Sequence, residues 1–508
     1  MISKINTAAI RGIEGVSVSI EVDIANGIPN FLIVGMVDTT VREARDRVKA
    51  AIGNSQCKYP NSRVVVSLMP ANLKKKGAHF DLPIAMGILA ASKQVLTSQL
   101  DESGFIGQLS LDGEIGKVNG VLPMVIEMKK SGIRRIFLPK ENAYEAALVD
   151  NLDVIAVSHI NEVIDYLNLK ARILPTTRSI RGESKYKRSP KDFSDVKGQD
   201  YVKRAVVIAI GGGHGMLLRG SPSSGKTMIS ERIPSILPSM SNEEILESTI
   251  IHSVAGNLSN EMEIINERPF RQPHSSITKA GLLGGGIVPM PGEITLAHNG
   301  VLFLDELGEY EKQILDSLRI PIESKSITLT RNGEIYKFPA NFTFVAATNP
   351  CKCGYYGDSR IPCRCSAAEL ESYRNKLSGP IMDRIDMHVN VNPVNYKEIT
   401  QGGGKSSMEM AKEVEKIRII SADRLKHEGI SLNGQMEPCH IDKYCKIDGE
   451  GEKLVKAAYD RHMLNPRTYY RIIKVARTIA DLNNSKDIKS SHIGEALQFR
   501  GDINDRNN

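Results

Sequence analysis

Between Gly215 and Ser230 the chain reads GMLLRGSPSSGKTMIS: an apolar run, a loop of small residues, then a helical pattern. Few folds accept that order. A short buried strand has to deliver the chain to one end of a sheet, and a helix has to begin at once, which is the repeating unit of an α/β protein. The loop residues Gly220, Ser221, Pro222, Ser223, Ser224, Gly225, Lys226 and Thr227 match the pattern G-x-x-x-x-G-K-[ST], with Met228 next in line. Gly220 and Gly225 let the backbone curl so that successive N–H groups face one centre, and a helix start adds partial positive charge. Such a cradle suits phosphate. Lys226 would reach the β- and γ-phosphates of ATP, and the Thr227 hydroxyl would ligate Mg²⁺.

Two later strands carry matching chemistry. GVLFLDELGEY, Gly300 to Tyr310, is a buried-type strand ending in two carboxylates. Asp305 would hold Mg²⁺ through water, and Glu306 would orient and polarise the attacking water. NFTFVAATNP ends in Asn349, placed to position that water beside the γ-phosphate. The plain alternatives are a capped helix at Asp305 and an Asn-Pro turn at Asn349. Standing after a phosphate loop, the three elements together predict a nucleoside triphosphatase.

The remaining sequence fixes the setting. At 508 residues the chain needs more than one core. No run of about eighteen apolar residues predicts a membrane span. The start lacks the apolar core of a signal peptide, so a cytoplasmic protein with reduced thiols is expected. Residues 1–168 alternate strand and helix patterns, 169–193 form a basic linker, 194–393 resume the alternation, and 394–508 are helical in pattern. A net charge of +7 permits a polyanionic partner without requiring one.

The stretches DVKGQDYVKRAVVIAIGGGHGMLLRGSPSSGKT, FRQPHSSITKAGLLGGG, PGEITLAHNGVLFLDELGEY, ATNPCKCGYYGD and SGPIMDRIDMHV resemble the magnesium-chelatase-type AAA+ ATPases. The likeness is strongest to their competence-protein branch, the ComM/YifB family, and covers essentially the whole chain. It implies an α/β AAA+ P-loop core with a helical lid, preceded by a Lon-protease-like α/β domain (the ribosomal S5 domain 2-like fold). It also implies a homo-hexameric ring that hydrolyses ATP between subunits and drives branch migration or unwinding of DNA during recombination of transforming DNA. By this resemblance Arg384 in MDRID would act as an arginine finger on the neighbour's γ-phosphate, and Arg467 in NPRTYYR would sense nucleotide in its own subunit. A guanidinium suits both tasks, being planar and always charged. A surface pair of Arg384 with Asp383 or Asp386 is the plainer account. The group also carries pore-lining hairpins. ITLTRNGEIYKFPANF fits one, with Asn332-Gly333 at the turn and Arg331 and Lys337 as a basic collar for branched or single-stranded DNA.

Two features call for separate chemistry. Cys351, Cys353, Cys363 and Cys365 in CKCGYYGDSRIPCRC could hold a structural Zn²⁺, although C-x-C is a tighter turn than the C-x₂-C of most zinc knuckles. In the Lon-like domain, GAHFD puts His79 where a Lon protease has its serine, and Leu122 falls where the lysine belongs. Without hydroxyl and amine, peptide hydrolysis has no nucleophile or base. A chelatase-type protein-remodelling ATPase remains the alternative to a DNA motor, and an ATP-dependent protease ranks below both.

Overall fold

Period-two alternation at the start of the chain produces a long antiparallel pair, Ile2–Arg11 with Glu14–Ala25, whose alternate residues are buried. The computed structural model describes residues 2–177, 191–259, 264–331, 333–358, 360–377, 379–394, 396, 398, 404–462 and 465–500. Most of the basic linker expected at 169–193, namely 178–190, therefore lies outside the described residues. The chain forms two compact units: one is Met1–Glu183 with Ser241–Asn266 and Pro289–Pro291, and the other is Ser184–Met240, Glu267–Val288 and Gly292–Asn508.

The first unit is built on a mixed seven-stranded sheet in the order Asn30–Val34, Arg63–Met69, Glu14–Ala25, Ile2–Arg11, Ser103–Phe105, Arg135–Pro139, Asp153–Val157. The helix Asp81–Ala91 is buried along its whole length, which explains its uniformly apolar sequence. Its one charge, Asp81, is matched by Arg47 at 2.7 and 2.9 Å, so the buried carboxylate is paired rather than orphaned. Helix Asn242–Val254, which the sequence places within the ATPase stretch, belongs to this unit. The Gly120 N–H donates to the Ser253 carbonyl at 2.9 Å, Lys117 Nζ to the Leu258 carbonyl at 2.6 Å, and the Ser253 hydroxyl to Glu145.

His79 and Leu122 are both core residues, 6% and 0% exposed. The His79 ring lies against Phe80, centroids 4.0 Å apart and planes tilted by 36°, and its Nε2 has no hydrogen-bond partner among the described residues. Burial pushes the imidazole down to about 4, whereas a histidine in an unfolded chain titrates near about 6.5. The unfolded chain takes up the extra proton between those values, so stability falls as pH drops from about 6.5 toward 4. Replacing His79 with Leu should flatten that part of the curve of urea midpoint against pH. An unchanged curve would remove His79 from the account.

The second unit holds a five-stranded parallel sheet in the order Phe270–Arg271, Val301–Leu304, Thr343–Thr348, Met216–Arg219, Met387–Asn390. Near-continuous apolar strands such as MLLR, VLFL and TFVAAT are what a sheet covered on both faces requires. The C-terminal helices share its core: Ile417 from Ser407–Leu425 and Ile473 and Ile479 from Pro466–Leu482 pack in one cluster with Ile208, Met216 and Val345. Asn465 caps the latter helix, accepting from the Thr468 N–H at 2.8 Å, with Pro466 at its first position. Among the described residues no helix is long and apolar enough to cross a membrane.

Candidate nucleotide site

Because the five strands are parallel, Arg219, Leu304 and Thr348 end on the same edge of the sheet, and the loops that follow them meet there. The strand Met216–Arg219 lies next to Thr343–Thr348, with Val301–Leu304 beyond it. Gly220 has no room for a side chain: an added Cβ would sit 2.3 Å from the Val391 carbonyl oxygen. Ser223 and Gly225 take positive φ, 61° and 95°, and curl the loop as expected. The helix that opens at Lys226 runs only to Ser230. Anion attraction here rests on the loop amides and Lys226 more than on a helix dipole, which grows by summing aligned peptides.

The Lys226 ammonium donates to the carbonyls of Gly220 and Ser221 at 2.7 and 2.9 Å and to Asn349 Oδ1 at 3.1 Å. Burial lowers its pKa, while Asp305 and Glu306 oppose that shift. Thr227 Oγ1 donates to Asp305 Oδ2 at 3.0 Å, so a hydroxyl and a carboxylate lie side by side as a hard cation requires. Asp305 Oδ1 accepts the Glu306 N–H at 2.9 Å. Glu306 is exposed and left-handed, φ 49° and ψ 51°, a conformation a non-glycine residue holds only where its surroundings enforce it. Ser224 Oγ is buried without a partner on the loop itself. These donors and acceptors fit a magnesium–triphosphate.

The structure thus gathers Lys226, Thr227, Asp305 and Asn349, with Glu306 adjoining, and separates the two arginines from them. Arg384 precedes the strand Met387–Asn390 at the amino end of the sheet, opposite the phosphate loop. Its Nη2 donates to Glu323 at 3.1 Å and its Nε to the Arg319 carbonyl at 3.2 Å. Arg467 binds the same Glu323 at 2.6 Å. Arg467, which the resemblance assigns to the nucleotide of its own subunit, thus shares Glu323 with Arg384, which stands at the sheet end opposite the phosphate loop. Asp386 is engaged by Arg471 at 3.4 Å and His214 at 3.7 Å. Tyr373 is a residue that sequence reasoning missed. Its hydroxyl donates to the Asn349 carbonyl at 3.1 Å and meets Thr348 Oγ1 at 3.1 Å, pinning the end of that strand.

The hairpin forms as Ser326–Arg331 against Glu334–Pro339, and Asn332 at its turn lies outside the described residues. Its register pairs Arg331 with Glu334 and Lys337 with Thr328. By parity, Arg331 shares the face of Ile327 and Phe338, while Lys337 stands on the opposite one. The hairpin therefore carries one of these basic side chains on each face, both exposed. Of the four clustered cysteines, the Sγ atoms all lie within 4.8 Å of one another, a group that could hold a metal ion.

A parallel sheet in this order, with a phosphate loop, an acidic strand tip and an asparagine on the intervening strand, defines a AAA+ ATPase core. Family models sharpen this. Those described as magnesium chelatase, subunit ChlI, subunit ChlI of Mg-chelatase, and magnesium chelatase, subunit ChlI C-terminal match residues 192–399, 20–142 and 404–500. Competence protein ComM of Haemophilus influenzae is 40% identical over 499 residues, 97% of this chain and 96% of that protein. YifB of Escherichia coli K12 is 38% identical over 504 residues, 98% and 97% of the two chains. A Lon protease of Leptospira interrogans is 23% identical over 173 residues, 34% of this chain and 19% of that protease. The chain belongs to the magnesium-chelatase-like AAA+ family, in its ComM/YifB branch.

Proposed function

We propose that this chain is a cytoplasmic ATP-driven motor that assembles as a homo-hexamer and moves branched or single-stranded DNA. The convergence of Lys226, Thr227, Asp305 and Asn349 carries the ATPase reading. The likeness to a competence protein supports DNA as the substrate. Lys226 binds the β- and γ-phosphates, Thr227 and Asp305 hold the metal, and Asn349 and Glu306 orient water at the γ-phosphate. Bound Mg²⁺ supplies charge neutralisation on the phosphate oxygens. Arg384 and Arg467, tied through Glu323, face a neighbouring subunit's nucleotide. Residues 1–168 serve as a binding or ring-forming scaffold without peptidase chemistry, and Cys351, Cys353, Cys363 and Cys365 hold structural Zn²⁺.

The test is ATP turnover with forked, four-way, single-stranded and duplex DNA, together with gel-shift binding. Stimulation by branched or single-stranded DNA is expected. Turnover indifferent to every DNA would instead favour the chelatase-type alternative, which gains from the ChlI model's match to residues 20–142. Reversing charge at Arg331 and Lys337 together should lower the salt dependence of binding by about 1–2 phosphate contacts. Unchanged low-salt binding would sink the hairpin's role.

A further inference from the structure

Phosphate loops are mobile when nothing packs on their outer side, yet here the cysteine loop lies against it. Cys351 follows Asn349 by two residues, so the knuckle springs directly from the strand whose Asn349 holds Lys226. Gly354 sits on the Pro222 ring so tightly that an added Cβ would come within 2.6 Å of Pro222 Cγ and Cδ. Asp358 accepts the N–H groups of Arg360 and Ile361 at 2.8 and 3.2 Å, fixing the knuckle's own turn. The Arg360 N–H and then the Ser221 side chain, in the middle of the phosphate loop, hold the same carboxylate below its usual pKa.

The sulfur geometry closes this loop around one centre. Cys351, Cys353 and Cys363 Sγ atoms are 3.4, 3.7 and 3.5 Å apart. Four thiolates about 2.3 Å from a tetrahedral zinc stand about 3.8 Å from one another. Backbone N–H groups already point at two of the sulfurs, Cys353 N to Cys365 Sγ at 3.4 Å and Tyr356 N to Cys351 Sγ at 3.3 Å, which is how outer-shell donors steady thiolate ligands.

We propose that zinc in this knuckle is what fixes the outer wall of the nucleotide pocket, so that ATP affinity depends on zinc occupancy. The proposal rests on the zinc and ATP readings above and adds the mechanical link between them through the Gly354–Pro222 contact, with Asp358 close to Ser221 beside it. Losing the ion would free residues 351–365 and with them the loop at 220–225. A preorganised loop binds more tightly because less ordering remains to be done on binding.

The experiment uses the full chain. Zinc is counted by mass spectrometry, stripped with a zinc-selective chelator under reductant, and restored. Binding of a fluorescent ATP analogue is measured in excess Mg²⁺, alongside hydrogen exchange at 220–225. We expect one zinc per chain. Stripped protein should bind about tenfold more weakly and exchange faster at the loop, both reversibly. Asp358→Ala should keep its zinc and still loosen the loop. A substoichiometric ion in zinc-replete protein would overturn the zinc assignment. Equal affinity and equal exchange with and without zinc would overturn the link. If neither form bound nucleotide, the pocket reading would fall, and exchange at 220–225 would still decide the link.

Discussion

Glu306→Gln should bind ATP as the parent does and turn it over about 10²–10⁴-fold more slowly. The amide keeps the size and a hydrogen-bonding oxygen but cannot accept a proton. The loss therefore appears in kcat, while nucleotide affinity stays put. The site's geometry singles out this residue. Asp305, half-buried, is committed to the Thr227 hydroxyl at 3.0 Å, whereas Glu306 is exposed and lifted by a left-handed backbone. Lys226→Ala provides the contrast. It deletes the ammonium that bridges two loop carbonyls and Asn349, so binding and turnover should fail together. Stopped-flow binding with steady-state phosphate release separates the two patterns. Normal turnover in the Gln variant would dismiss Glu306 as the residue that activates water.

That site was legible because its parts are local signals. A glycine loop between an apolar run and a helix, and strands ending in Asp305 and Asn349, each declare themselves over about ten residues. Parallel pairing then brings the strand ends together without any further information. What the sequence withheld depends on contacts between distant segments. Helix Asn242–Val254 shows a capping box at Ser241 and Glu244, but nothing in it says that Ser253 will meet Glu145. Tyr373 reads as one aromatic on an exposed helix until its hydroxyl is seen on Asn349. For Arg467, a cap and a helix start give a position along the helix and do not announce the pairing with Glu323. The hairpin could have been read better. With a two-residue turn at 332–333, counting parity already parts Arg331 from Lys337.

Arg384→Ala should retain ATP and lower turnover by about 10³–10⁵-fold, the range an arginine finger supplies. The decisive measurement is mixing. Arg384 stands at the sheet end opposite its own phosphate loop, its guanidinium held by Glu323 and the Arg319 carbonyl. The proposed finger therefore calls for the nucleotide of a neighbouring subunit rather than its own. In a ring of heterologous contacts, each interface joins one subunit's phosphate loop to its neighbour's arginine. Arg384→Ala chains keep an intact loop and Lys226→Ala chains keep an intact arginine. Random mixing restores both halves at roughly one interface in four. Turnover should therefore reappear when two inactive proteins are combined, and it should rise with total concentration as rings exchange subunits. Arg467→Ala should complement Lys226→Ala in the same way, since Glu323 holds both guanidinia at one end of the sheet. If the mixtures stay silent while the parent forms rings and hydrolyses ATP, the arginines do not act across the interface, and their attachment to Glu323 is structural.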